Sequence, residues 1–186
     1  KQIFASTDKE LSKAEYDRLL EAAKDKKNQR LYYLIQTIAS TGIRVSELRY
    51  ITTSAVHSGQ AIINCKGKMR IVILPKELCK MLKGYIRENN IKNGSVFVSR
   101  TGKPLDRSHI WKMLKALCKT AGVSKDKVFP HNFRHLFART YYSLQKDIVR
   151  LADILGHSSV NTTRIYTIET GDVHRKQIQK LGLLRC

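Results

Sequence analysis

Five stretches of this 186-residue chain put a cationic or proton-bearing side chain beside a break in secondary structure. TGIRVSEL places Arg44 just after a glycine turn, at the mouth of a helix. NCKGKMR places Lys66 and Lys68 at a hairpin tip, and HNFRH sets His131 and Arg134 at i and i+3, on one helical face. LGHSS leaves His157 just past a helix end, and TTRIYT carries Tyr166 in a short helix. Such a set could do phosphoryl chemistry. Guanidinium forks bind phosphate oxygens bidentately and stay charged. A lysine can protonate a leaving oxygen. A phenol, with a free pKa of about 10, attacks only with cations and a proton acceptor nearby. Taken singly, each residue also has an ordinary explanation. Arg44 and the lysines read as solvated charges, and His131 with Arg134 as a helix-surface pair. His157 reads as a cation at a helix carbonyl end, and Tyr166, one of eight tyrosines, as a core aromatic.

Positioning these groups takes a mostly helical scaffold. Residues 11–27 read as a helix with Ser12 as N-cap and Glu15 completing a capping box. Residues 30–40 read as an apolar core helix that Gly42 ends, and RVSELRYI opens another helix. Residues 61–65 and 70–74, rich in β-branched side chains, flank KGKM as a hairpin, and VFVS (96–99) reads as a third strand. Helices follow over 76–89 and 107–121, then one with Pro130 in its first turn. DIVRLADILG places Ile148, Leu151 and Leu155 on one face and stops at Gly156. A short Ser-capped helix lies in SVNTTRIYT, and a last helix covers DVHRKQIQKL (172–181). The expected fold is mainly α with a small antiparallel β-sheet (α+β), without internal repeat or linker.

In this order and spacing, the stretches resemble the catalytic domain of the tyrosine recombinase (phage integrase) family over nearly the whole chain. The signature is an Arg, a hairpin Lys, H-x-x-R, L-G-H, and a Tyr nine residues after that His. The resemblance implies that Tyr166 attacks a DNA phosphodiester, giving a 3′-phosphotyrosine and a free 5′-hydroxyl. It makes Arg44 and Arg134 the clamp on the phosphate. His131 and His157 add donors, His131 also handling the tyrosine proton. Lys66, directly before the hairpin glycine, becomes the general acid, with Lys68 in reserve. Glu47 helps orient the cationic groups, although a carboxylate is also favoured at any helix start. Neither metal nor cofactor is called for. His135, Tyr141 and Tyr142 read as packing or backbone contacts. The cations of KMLKALCK and RTGKPLDR read as phosphate contacts or as solvated faces. Two departures stand out: Gln145 where the family often has glycine, and Arg139, facing DNA or solvent, where a small residue is common.

The resemblance also implies a single C-terminal catalytic domain over 1–186, lacking the N-terminal domain that grips the opposite DNA face. It implies strand exchange in a homo-tetramer on double-stranded DNA, with the isolated piece a monomer that binds DNA weakly. Accessory DNA-bending or excision proteins, a mobile genetic element and a bacterial cytoplasm complete the expected setting. The tail (170–186) carries Val173, Ile178, Leu181, Leu183 and Leu184, and docks on its own domain or on a neighbouring subunit. Composition agrees with a polyanion partner: 35 Lys+Arg against 15 Asp+Glu gives a formal charge of +20, spread along the chain. Cys65, Cys79, Cys118 and Cys186 are too scattered for a zinc site or a disulfide framework, which suits a reducing compartment. No apolar run approaches the roughly 20 residues that span a bilayer. The competing readings are a non-catalytic DNA-binding module on the same fold, a type IB topoisomerase-like enzyme, and a basic binder of RNA or acidic protein.

Overall fold

The computed structural model describes residues 9–25, 28–65 and 68–164; Lys66, Tyr166, the expected helix over 172–181 and the tail lie outside them. Helix α1 (Lys13–Asp25) begins at the expected capping box: the Glu15 N–H donates to Ser12 Oγ at 3.1 Å and the Ser12 N–H to Glu15 Oε2 at 2.8 Å. Helix α2 (Gln29–Thr41) starts at an Asn28 cap and ends at Gly42, whose φ is 65°. A Cβ there would lie 2.6 Å from Phe137 Cδ1 and 2.9 Å from Leu155 Cδ2. Both the left-handed backbone and the close approach therefore require glycine.

Residues 45–50 form a 3₁₀ turn rather than the start of an α-helix. The segment is short because a new cap follows at once: Thr52 opens α3 (Thr53–Ser58), a six-residue helix too brief to show apolar periodicity. Strands β1 (Gln60–Cys65) and β2 (Lys68–Ile73) pair antiparallel, with Cys65 opposite Lys68 at the tip. Lys68 and Met69 thus belong to β2, and the expected loop narrows to residues 66–67.

VFVS is not a third strand. Among the described residues the sheet has two strands; the segment makes one isolated bridge, Val98↔Pro104, and the residue before it makes another, Thr52↔Ser95. Val96 and Phe97 are buried in succession, without the alternation of a sheet strand, and the chain turns back at once, the Ser99 N–H donating to Lys103 O at 2.7 Å.

Helices α4 (Lys76–Glu88), α5 (Arg107–Ala121), α6 (Pro130–Gln145), α7 (Ile148–Leu155) and α8 (Val160–Thr163) follow, and Ser159 caps α8 as expected. At the end of α6, Lys146 takes the left-handed conformation at φ 53°, so the turn forms without the family's glycine. The main core gathers side chains such as Leu19, Leu34, Ile38, Leu82, Leu114 and Phe133. A smaller cluster of Ala138, Leu151 and Leu155, covered by Phe137, Tyr141 and Tyr142, packs α7 on α6. Arg139, expected to face DNA or solvent, is engaged within the protein: it pairs with Glu10 and donates to Leu11 O at 2.7 Å, tying α6 to the segment before α1. With α6 packed on both α2 and α7, the C-terminal ends of α2 and α7 meet at the first turns of α6.

Candidate active site

The last carbonyls of a helix lack intrahelical donors and carry the negative end of its dipole. At the end of α7, three successive carbonyls receive guanidinium donors instead. Arg70 Nη1 donates to Ile154 O at 2.8 Å, Arg134 Nη2 to Leu155 O at 2.7 Å, and Arg44 Nη2 to Gly156 O at 3.1 Å. Arg134 also donates to Gly42 O at the end of α2. Two helix ends thereby collect three arginines that would otherwise repel one another. Arg134 is only 2% exposed, so its orientation is set before any ligand arrives.

Glu47 offsets part of this charge. Its carboxylate accepts from Arg44 Nη1 at 2.9 Å, from the Arg44 backbone N–H at 3.0 Å and from Arg70 Nη2 at 2.6 Å. Burial alone would raise its pKa. The Arg44 N–H and the guanidiniums of Arg70 and Arg44 outweigh that and hold the carboxyl below its ordinary range.

His157 lies 3.1 Å from Arg134 Nη2 through Nε2 and 2.8 Å from Thr163 Oγ1 through Nδ1. A guanidinium only donates, so Nε2 offers its lone pair and Nδ1 carries the proton toward the threonine. Burial, then Arg134, Arg44, Arg70 and His131, push the His157 pKa down to about 4. The ring is neutral at pH 7, and without DNA its Nε2 accepts rather than donates. His131, exposed at the start of α6, stacks edge-on against His135 with ring centroids 4.3 Å apart. Partial burial, with Arg134, Arg44 and Arg107, lowers its pKa; burial, with His131, Arg139 and Arg134, brings His135 down to about 4.

These histidines make an expected result. The unfolded chain takes up protons near 6.5, whereas folded His135 and His157 refuse them until about 4. Their contribution is fully present above pH 6.5 and is lost as pH falls toward 4. The DNA-free melting temperature should fall across that window, and more gently in His135→Asn; a flat profile would contradict the assignment.

Two cavities open on the cluster. One, of ≈ 340 Å³, is lined by Arg44, His131 and Arg134 together with Arg107 and Trp111 of α5. The other, of ≈ 640 Å³, is lined by Arg44, Glu47, Arg70, His157 and Thr162. Arg44 stands in both. A groove of ≈ 680 Å³ along α4, beside Lys76, Lys80, Lys83 and Arg87, shares no lining residue with either.

The fold therefore brings together Arg44, Glu47, His131, Arg134 and His157, as the sequence leads one to expect. Lys68 opens β2, and Lys66 and Tyr166 lie outside the described residues. Arg70, Thr163 and Trp111 join the site without having been singled out by the motifs. Strand alternation hides Arg70: Met69, Ile71 and Ile73 are 74%, 56% and 68% exposed, while Val72 is buried and Arg70 lies against α7. A rule that turns apolar side chains inward reverses the faces of this strand.

Residues 9–171 match the family model described as the phage integrase family. The tyrosine recombinase XerH of Campylobacter jejuni is 38% identical over 167 residues, 84% of this chain and 47% of that protein. The tyrosine recombinase XerA of Pyrococcus furiosus is 31% identical over 184 residues, 95% of this chain and 63% of that protein. Among solved structures, that of XerA recombinase superposes with a TM-score of 0.77 at 34% identity, covering 95% of this chain and 64% of that one. The chain spans about half the length of the first curated relatives it matches.

Proposed function

This chain belongs to the phage integrase family of tyrosine recombinases, and from that membership we propose that it is the DNA-cleaving and DNA-rejoining part of a site-specific recombinase. The observation that carries the reading is the convergence of Arg44, Arg134 and His157 on the end of α7, beside a cavity shared with His131. Its substrate is double-stranded DNA. The scissile phosphate sits against Arg44 and Arg134, whose fixed charges meet the negative charge that grows on the non-bridging oxygens as phosphorus becomes five-coordinate. The Tyr166 oxygen forms a bond to phosphorus while the bond to the 5′-oxygen breaks. His131 takes the phenolic proton, and Lys66 gives one to the leaving 5′-oxygen. A bound phosphate monoanion opposes the arginines and draws a proton onto His157, converting Nε2 from acceptor to donor. One phosphoester replaces another, so the reverse step rejoins the strand without ATP.

Strand exchange in a homo-tetramer, a tail docked on its own domain or on a neighbour, and a mobile-element setting remain parts of this proposal. The last is tested by looking for matching element ends in the DNA that borders the gene. The enzymatic reading is tested with a suicide duplex nicked near the target site. Wild type is expected to leave a covalent 3′-linked adduct and a free 5′-hydroxyl, and Tyr166→Phe no adduct. A non-catalytic module leaves none in either case. Relaxation of any supercoiled plasmid at high turnover, without site preference, would instead favour the topoisomerase.

A further inference from the structure

Arg70 lies on the hairpin, outside the set of groups assigned to the phosphate, yet its contacts lead to that set. Its Nη2 donates to Glu47 Oε2 at 2.6 Å, the same oxygen that takes the Arg44 backbone N–H at 3.0 Å; the other carboxylate oxygen holds Arg44 Nη1 at 2.9 Å. Its Nη1 is fixed on Ile154 O at 2.8 Å, two residues before the carbonyl that receives Arg44. The stem lies flush on Gly156: a Cβ there would come within 2.4 Å of Arg70 Cδ. The Arg70 side chain is 15% exposed, against 39% for Arg44. The buried guanidinium is thus the fixed member of the trio, and the more exposed one is the member that must meet a ligand.

We propose that Arg70 is a positioning residue for the phosphate clamp: through Glu47 and the end of α7, it sets where the Arg44 guanidinium stands. Without Arg70, Glu47 keeps its two contacts with Arg44 but loses its tie to β2, and the Arg44 guanidinium is left to shift about its remaining hold on Gly156 O. A displacement of about 1 Å at a reacting centre can cost about a hundredfold in rate. Charge contributes as well as geometry. With Arg70 bound, Glu47 divides its negative charge between two cations, so Arg44 keeps more positive field for the phosphate. This inference rests on the reading of Arg44 as a clamp on the scissile phosphate.

The test compares cleavage of a normal suicide duplex with one bearing a neutral methylphosphonate at the scissile linkage, using the full-length protein. The neutral linkage relieves the demand for cationic stabilisation, so the cleavage defect of Arg44→Ala should shrink on it. If it does not, the reading of Arg44 itself fails, whatever Arg70 does. Given that control, Arg70→Met is expected to slow cleavage of the normal duplex by about a hundredfold and to recover on the methylphosphonate as Arg44→Ala does. The double variant should be no slower than Arg44→Ala alone. Arg70→Lys, which keeps the charge and reaches one partner, should fold like wild type and recover part of the rate. An Arg70→Met defect that is the same on both linkages, or that multiplies with that of Arg44→Ala, would mark Arg70 as a structural strut and overturn the proposal. So would full activity in Arg70→Met. If Arg70→Met does not fold, Arg70→Lys carries the same comparison across the two linkages.

Discussion

Replacing Arg134 with lysine is expected to slow DNA cleavage about a thousandfold or more while weakening DNA binding less than about tenfold. The physical reason is the division of labour within one guanidinium. Arg134 donates to Gly42 O and to Leu155 O at 2.7 Å, and touches His157 Nε2 at 3.1 Å, with 2% of its surface exposed. A lysine places a single point of charge and cannot hold two helix ends and an imidazole while facing a phosphate. Affinity depends mainly on the wider basic surface of a chain with formal charge +20, so the loss should fall on the chemical step. A second effect is on folding. At least one buried carbonyl loses its donor, at a cost of about 1–3 kcal/mol, so the melting temperature should drop by several degrees, with full folding at 20 °C. Single-turnover cleavage and a filter-binding isotherm on the same duplex separate the two effects. Cleavage within tenfold of wild type would remove Arg134 from the clamp.

The other large effect is expected at Glu47. Glu47→Gln keeps the shape and removes the charge, leaving the guanidiniums of Arg44 and Arg70 facing each other across a neutral amide. Breaking a buried ion pair from one side typically costs about 3–5 kcal/mol. The exposure of Arg44, 39%, reduces its share through solvent screening, and about 2–4 kcal/mol is the expected loss. For a domain of this size that lowers the melting temperature by about 5–15 °C. The sign with pH follows from the lowered folded pKa of Glu47. In wild type its stabilisation is present above the unfolded carboxyl value, about 4.3, and is lost as pH falls through the lower folded value. The gap between wild type and Glu47→Gln should therefore be wide and constant from pH 7 to 5 and should close below about pH 4. The histidine-driven decline between pH 6.5 and 4 should appear in both proteins. A gap that fails to close in acid would show that Glu47 acts by packing rather than by charge.

How much of this was legible in the sequence varies from element to element. The long helices announce themselves through apolar spacing and caps: Ser12 with Glu15, Pro130 and Gly156 all sit where the sequence puts them. The short pieces do not. The 45–50 turn and α3 are six residues each, two turns of helix or fewer, and only the Thr52 cap and the glycine at 59 mark their limits. VFVS has the composition of a strand, but strand composition does not supply a partner. In the site, Arg44, His131, Arg134 and His157 are legible because their spacing follows a family motif. What the motif does not contain is the scaffold beneath it, three backbone carbonyls at the end of α7. Backbone groups have no residue type to read, and Arg70 reaches them only because β2 turns its isoleucines outward. The pairing of Arg139 is illegible for a related reason: its carboxylate partner Glu10 is distant in sequence and becomes a neighbour only once α6 has packed on the segment before α1.

The measurement that bears most directly on the central claim is a crystal structure of the Tyr166→Phe protein bound to duplex DNA containing its target site. One phosphate is expected within hydrogen-bond distance, about 2.7–3.1 Å, of both Arg44 and Arg134. The imidazoles of His131 and His157 should be directed at the same group, and the substituted ring at position 166 should face it edge-on, opposite the 5′-oxygen. Duplex DNA seated elsewhere, with Arg44 and Arg134 contacting different phosphates or none, would contradict the account.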